Sequence, residues 1–340
     1  DVEQLFTARG LDTARLDNLL MRSKSVNLPC EDPVTNAVNA ARPLLARMSS
    51  QDKDTIEVVV VGTESGLDFG KPISTYIHHL LGLSNTCRSF EVKHACYGGT
   101  AALQTAAAMV ATAANPNARA LVICTDAAAR IDVNSYWEPS QGAGAVAMIV
   151  SRDPSLLTLD LGRSGLYTFH VMDTLRPRPE VEAGDSDLSL LSYLTCLDET
   201  FTAYCANNPG TQLSDFDRLI FHTPFAGMVV GAHRTLLRKH GNYRREQVTD
   251  HFAATLQASL DFGQQVGNTY GAALYMALCS TLASGQARPG QRVGLFSYGS
   301  GCGSEFYSGT FAAGTAIATG PRRIANDISA RHPLDMSTYE

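Results

Sequence analysis

A thiol, a carboxylate and an imidazole stand where β-favouring runs of this chain give way to turns: Cys96, Glu64 and His222. Such groups can take up an acyl unit, move a proton and hold a carbonyl oxygen. Cys96 closes a short β-favouring segment, two glycines follow, and a run of small apolar residues from Thr100 reads as a helix. A thiol at a helix N-terminus meets unpaired N–H groups and the positive end of the helix dipole. Both favour the thiolate, the form that attacks thioesters. Gly98 and Gly99 would let an acyl chain and a backbone N–H approach the sulfur, as an oxyanion hole requires. The same stretch fits a small interior cysteine at a strand-to-helix junction, and alone it leaves both readings open.

Glu64 lies in Gly62-Thr63-Glu64-Ser65-Gly66, just past the β-branched run Ile56 to Val61. Partial burial there would raise its pKa and suit it to proton transfer; an ordinary loop carboxylate is the other reading. His222 ends the strand Leu219 to His222 and is followed by Thr-Pro-Phe. Asn268 sits in Gly-Asn-Thr-Tyr ahead of a second small-residue helix, 271 to 283. Cys, His and Asn at equivalent turns form a grouping known for acyl transfer, although a core histidine with satisfied nitrogens also fits the strand.

Positioning these groups calls for buried strands with helices between them, an α/β class of fold. Residues 1 to 50 carry two helix-like stretches, one ending near Met21 and one from about Thr35 to Met48. The runs Ile56 to Val61 and Ala120 to Cys124, the latter ending at Thr125-Asp126, read as strands buried on both faces. Lys71 to Leu81 reads as a helix with Tyr76, Leu80 and Leu81 turned to the core. Glu138-Pro-Ser-Gln-Gly-Ala-Gly-Ala enters a strand and not a helix, so its glycines form no phosphate cradle. From Leu157 the order of elements recurs: a strand to His222, a helix from about Ala226 to Lys239, the helix 271 to 283, and a strand Val293 to Tyr298. The turn Gly299-Ser-Gly-Cys-Gly303 and the strand Glu305 to Phe311 follow. Architecture is duplicated and sequence is not, with halves at 1–152 and 153–340 sharing one site at the strand ends.

The 340 residues, 44% hydrophobic and 18% charged, suffice for a large core. A net charge of −6 offers no general attraction for nucleic acid or an anionic membrane. No apolar run reaches the roughly 18 residues of a membrane span. Eight cysteines, at 30, 87, 96, 124, 196, 205, 279 and 302, are scattered without a C-x-x-C pair. Neither zinc nor a redox dithiol is expected, and reduced thiols fit a cytoplasmic protein.

Ala95-Cys96-Tyr-Gly-Gly-Thr-Ala-Ala-Leu, Gly-Thr-Glu64-Ser, Glu138-Pro-Ser-Gln-Gly-Ala-Gly-Ala-Val-Ala and Phe-Ser-Tyr-Gly-Ser-Gly resemble 3-hydroxy-3-methylglutaryl (HMG) thioester synthases of the thiolase superfamily, and the likeness spans nearly the whole chain. The resemblance implies a five-layered α/β/α/β/α fold of two pseudo-symmetric halves, and a homodimer. It implies that Cys96 carries acetyl, that Glu64 is the general acid/base, and that His222 holds the acceptor thioester and its β-carbonyl. Asp173, Asn268 and Ser300 would meet the acyl substrate, and the N–H groups of Cys96 and Ser300 would hold the oxyanion. Ketoacyl synthases with a Cys-His-Asn site make their carbanion by losing CO₂ and need no base for that step. Acetyl must instead lose a methyl proton, and Glu64 supplies the acceptor. Gly-Cys302-Gly resembles the second-cysteine loop of thiolases, but Glu64 and His222-Thr-Pro-Phe side with the synthases.

Asp173-Thr-Leu-Arg-Pro-Arg-Pro, Ser189-Leu-Leu-Ser-Tyr-Leu and His222-Thr-Pro-Phe-Ala-Gly-Met resemble the polyketide branch of that family. Its members β-branch an intermediate on an acceptor acyl carrier protein, taking acetyl from a donor carrier protein. The substrates ride on phosphopantetheine of a carrier protein or on coenzyme A, and no resident cofactor is implied. Val230 departs from the pattern, since both branches often have a lysine near it to meet a coenzyme A or pantetheine phosphate. Arg234, Arg238, Lys239, Arg244 and Arg245 form a basic cluster that suits docking of acidic carrier proteins, or is a solvated charged face. The remaining readings are the coenzyme A enzyme of mevalonate synthesis and a catalytically silent scaffold for carrier proteins. Relatives have a strand ahead of the position of Asp1, central in the first sheet, and more chain after Glu340. A gap or a substitute segment is therefore expected in that sheet.

Overall fold

The computed structural model describes residues 1–127, 133–178, 181–241 and 243–340; Pro179 of the Arg-Pro-Arg-Pro stretch lies outside them. Ile56–Gly62 (β1), Arg88–Val92 (β2), Arg119–Ala127 (β3) and Ala143–Val150 (β4) form one sheet in the order β2-β1-β3-β4. β1 is a nearly unbroken run of valine and isoleucine because both of its faces are covered. It runs parallel to β2 and β3, and β4 returns antiparallel along β3. Leu157–Leu159 (β5), Gly165–Thr168 (β6), Thr174–Arg178 (β7), Val181–Gly184 (β8), Arg218–Phe221 (β9), Arg292–Gly299 (β10) and Gly303–Phe311 (β11) follow. The second sheet runs β5-β11-β10-β9 with β6 also on β11, while β7 and β8 form a separate antiparallel pair.

The gap expected in the centre of the first sheet does not occur. β1 and β3 pair directly, with Val59 opposite Leu121 and Gly62 opposite Cys124, so no strand is missing between them. In the second sheet β5, the strand that opens that half, pairs with the last strand, β11. In that half the first strand therefore lies at the edge beyond the last one.

The covering helices are Pro33–Leu45 (α1), Ile73–Leu80 (α2), Gly98–Thr112 (α3), Ser186–Asn207 (α4), Ala226–His240 (α5), Arg245–Thr255 (α6) and Ala273–Ala283 (α7). α1 opens on a reciprocal cap in which Thr35 N–H donates to the Asp32 carboxylate and Asp32 N–H donates to the Thr35 hydroxyl. Val34, Val38 and Leu45 of α1, with Ile73 and Ile77 of α2, cover Ile56, Val59, Leu121 and Ile123 on the outer face of the first sheet. Tyr76 and Leu80 are exposed, contrary to the expected core face, whereas Leu81 is half-buried and packs against that core as expected. The buried stripe of α2 is set by Ile73 and Ile77 four residues apart, and Tyr76 and Leu80 fall beside it.

On the inner face Val58, Val60 and Val122 pack on Ala102, Ala106 and Val110 of α3, which share a core with Leu274 and Ala277 of α7 and with Leu295 of β10. α4 and α5 cover the far side of the second sheet through Tyr193, Phe201, Val229 and Leu236 against Phe221, Phe296 and Phe306. The layers read α/β/α/β/α, with α3 and α7 in the middle. Their close approach needs glycine: a Cβ on Gly99 would stand 2.1 Å from the carbonyl oxygen of Gly271 in the turn leading to α7. Among the described residues no helix is long and apolar enough to cross a membrane.

Candidate active site

α3 begins at Gly98, two residues after Cys96 and earlier than Thr100. Ala95 and Tyr270 hold φ of 40° and 48° without being glycine, and the Tyr270 side chain packs against Cys96. Each such conformation costs about 1–3 kcal/mol, which the packing of the two central turns must offset. Gly299, the last residue of β10, lies against the same turn: an added Cβ would stand 2.5 Å from Tyr97 N and 2.6 Å from His94 O. Ser300 follows directly, so its turn adjoins the one carrying Cys96. His222 sits one residue past β9 and donates its backbone N–H to Phe296 O of β10 at 2.8 Å, three residues ahead of Gly299. The two halves therefore deliver Cys96, Ser300 and His222 to the same carboxyl ends of strands, where such sheets place their ligands.

Glu64 leaves the end of β1 and is oriented by Asp126 from the end of β3. Asp126 Oδ1 accepts from Glu64 N–H and from the hydroxyls of Thr63 and Ser65, each at 2.9 Å, while Oδ2 accepts from Gly271 N–H at 2.9 Å. Glu64 Oε1 meets Arg176 Nη2 at 2.7 Å, and the same nitrogen meets Glu182 Oε2 at 3.2 Å. Burial drives the Glu64 carboxyl up to about 8; Arg176 opposes this, and Asp126 and Glu182 reinforce it. A carboxylate so poised can both take and return a proton near neutral pH.

The Cys96 thiol is itself pushed well above its usual range, first by burial and then by Glu64, Asp126 and Glu182, with Arg176 opposing. The expected resting thiolate is thus overturned. Burial and three carboxylates outweigh a helix end that starts two residues further on. The Tyr270 ring that packs on Cys96 also lies 5.3 Å from the Arg176 guanidinium paired with Glu64, which brings carboxylate and thiol into one neighbourhood.

His222 is buried, and its Nδ1 has no hydrogen-bond partner among the described residues. Burial lowers its pKa to about 3, so the ring is neutral at pH 7 and offers one N–H and one lone pair. A buried imidazole nitrogen left open is a place for a ligand's polar atom. The Asn268 side-chain oxygen accepts from Tyr270 N–H at 2.9 Å, and its carbonyl accepts from Gly142 N–H at 2.9 Å. Asn268 thereby ties the Gln141-Gly142 turn to the residue that packs on Cys96.

Asp173 does not line the pocket as expected. It is fully buried, with Oδ2 accepting from the Tyr298 hydroxyl at 2.5 Å and Oδ1 from Gly301 N–H at 2.9 Å, so it braces the turn carrying Ser300. Cys302 is buried 3.7 Å, sulfur to sulfur, from Cys196 in the core of the second half. Arg176, Glu182, Asp126 and Tyr270 complete the site and are not apparent from sequence spacing. Asp126 ends a recognisable buried strand, which is a usable signal. Glu182 has none, because only the pairing of β7 with β8, Leu175 opposite Ala183, brings it round to Arg176.

The basic cluster is divided. Arg234 and Arg238 of α5 and Arg244 and Arg245 at the start of α6 line a cavity of about 940 Å³ whose apolar wall includes Val230, Val248 and Phe252. Lys239 is not part of that lining and pairs with Asp198.

The family profiles described as Hydroxymethylglutaryl-coenzyme A synthase N terminal and C terminal match residues 30–155 and 232–338. The polyketide biosynthesis 3-hydroxy-3-methylglutaryl-ACP synthase PksG of Bacillus subtilis strain 168 is 47% identical over 350 residues, 100% of this chain and 83% of PksG. The hydroxymethylglutaryl-CoA synthase of Enterococcus faecalis is 35% identical over 320 residues, 92% of this chain and 80% of that protein. The crystal structure of the curacin biosynthetic pathway HMG synthase in complex with holo donor-ACP aligns with a TM-score of 0.96 at 47% identity, covering 100% of this chain and 83% of that one. With thiol, carboxylate and imidazole gathered at one set of strand ends and this likeness running the whole length, the chain belongs to the hydroxymethylglutaryl-CoA synthase family.

Proposed function

We propose that this protein is a carbon–carbon bond-forming acyltransferase that builds an HMG-type β-branch on a β-ketoacyl intermediate carried by an acyl carrier protein in polyketide assembly. The carrying observation is a buried Glu64 carboxyl, raised to about 8 and linked through Arg176 and the Tyr270 ring to Cys96, on the same strand ends as an imidazole with an open nitrogen. In the first step the Cys96 sulfur replaces the pantetheine sulfur of the acetyl donor, and the thiol proton leaves with the pantetheine. Glu64 then removes a methyl proton from acetyl-Cys96. The resulting enolate carbon bonds to the β-carbon of the acceptor ketone, whose oxygen is held by the neutral His222 ring. The proton held by Glu64 is available to quench the alkoxide, and water finally cleaves the Cys96 thioester to release a carboxylate and restore the thiol. Asn268 and Ser300 hold the acyl groups, and the N–H groups of Cys96 and Ser300 hold the thioester oxyanion.

Carrier protein is favoured over coenzyme A by the higher identity to the polyketide enzyme, 47% against 35% for the coenzyme A enzyme of Enterococcus faecalis. The deciding experiment supplies acetoacetyl on a carrier protein or on coenzyme A to the acetylated enzyme. Faster condensation on the carrier protein is expected. Equal or better use of coenzyme A would favour the mevalonate-type enzyme, and no acetyl adduct from any donor would favour a silent scaffold. The homodimer carries over as a further part of the proposal by family resemblance, and a cytoplasmic location is supported by free cysteines throughout.

The docking surface proposed for the acidic carrier proteins is the cavity lined by Arg234, Arg238, Arg244 and Arg245, and Lys239, paired with Asp198, is left out of it. Arg234→Glu with Arg238→Glu should weaken carrier-protein binding by roughly tenfold or more at low salt and flatten its salt dependence. Acetyl transfer from acetyl-coenzyme A should be spared, and binding unchanged by the double charge reversal would remove the cluster from the docking surface.

A further inference from the structure

We infer that Arg176, carried on the β7–β8 pair outside both sheets, is a positioning residue that holds the Glu64 carboxylate toward the acetyl group on Cys96, with Glu182 anchoring Arg176 from the facing strand. This rests on the reading of Glu64 as the base. One guanidinium nitrogen of Arg176 bridges the two carboxylates at 2.7 and 3.2 Å, and Nη1 reaches the Glu64 carbonyl oxygen at 3.4 Å. The three side chains are nearly closed off from water, 14, 15 and 7% exposed for Arg176, Glu64 and Glu182, so this is not a solvated surface pair. The guanidinium lies 5.3 Å from the centre of the Tyr270 ring, whose hydroxyl donates to Glu182 at 3.3 Å. The strand pair is itself tied at its base, where Asp185 N–H donates to Asp173 O at 2.8 Å. Asp173 is also the residue that braces the Ser300 turn. Base and oxyanion turn are thus held from one arm.

The charged and titratable groups facing Glu64 are Arg176 from β7, Glu182 from β8, Asp126 from the end of β3, Cys96 from the turn before α3 and Tyr270 from the turn before α7. Arg176 favours the charged carboxylate and the two acids disfavour it. Removing Arg176 and neutralising Glu182 must therefore act in opposite senses, which a merely structural role would not produce.

The test is the pH dependence of condensation in a single turnover started from enzyme already acetylated on Cys96. In Arg176→Met the acid limb should move up by on the order of one pH unit, in Arg176→Lys it should stay near the wild-type position, and in Glu182→Gln it should move down. Limbs that do not move, or that move in the same sense for Arg176→Met and Glu182→Gln, overturn the inference. Should Arg176→Met fail to fold or load acetyl, Arg176→Gln takes its place with the same upward shift expected, and an unmoved limb there overturns the inference. Wild type and Glu64→Gln run alongside: equal condensation by those two would refute Glu64 as the base, whereas a dead Glu64→Gln with unmoved limbs would refute only the role of Arg176.

Discussion

Cys96→Ala should accept no acetyl group from any donor, with turnover reduced on the order of 10⁴-fold or more, the scale on which deleting a covalent nucleophile acts. Intact-mass measurement after incubation with acetylated carrier protein checks this directly. Three of the other thiols, Cys124, Cys196 and Cys302, are buried away from any donor. Cys124 is fully buried and pushed up by that burial, and Cys196 and Cys302 face each other in the core of the second half. The substitution should leave the fold intact, since alanine keeps the turn's backbone and gives up only sulfur packing such as that on Tyr270. Since the resting thiol is protonated, acetylation of the wild type should quicken with rising pH through the neutral and mildly alkaline range.

Glu64→Gln should separate the two halves of the reaction. Acetyl loading is expected to be kept, and to quicken above about pH 8, where the glutamine removes a negative charge that opposes the thiolate. Condensation should fall by about 10²–10⁴-fold, the usual contribution of a positioned base. In the wild type the condensation rate should rise with pH and level off above about 8, as Glu64 loses its proton. The stability sign follows from the same shift. A carboxyl whose folded pKa lies above its unfolded value of 4.5 keeps its proton longer in the folded chain, so stability falls as pH rises from 4.5 to about 8. Glu64→Gln should show a shallower fall over that window in denaturant titrations; loss of acetylation instead would assign the carboxylate to the other step.

The three residues proposed for catalysis were legible because each stands where a run of clear strand or helix composition ends or begins. Four successive valines before Glu64 and the alanine-rich helix after Cys96 leave little choice of fold, and His222 ends a strand at a proline-containing turn. Less legible was anything decided by pairing. Arg176 reaches Glu64 only because β7 and β8 pair outside both sheets, and Asp173, which the family resemblance put against the substrate, turns inward to Tyr298 and Gly301. The protonation of Cys96 was misjudged for a related reason. The helix dipole is local and visible in sequence, while Asp126 and Glu182 arrive from separate strands. The missing central strand was an error of topology, corrected by the direct pairing of β1 with β3.

The claim on which everything rests is that Glu64 strips a proton from the acetyl methyl held on Cys96. Enzyme acetylated on Cys96, placed in deuterated buffer without acceptor and read by mass over time, tests it most directly. The account predicts that the wild-type adduct gains deuterium steadily while the Glu64→Gln adduct gains none above the rate of a free acetyl thioester. Equal gain in the two proteins would contradict it.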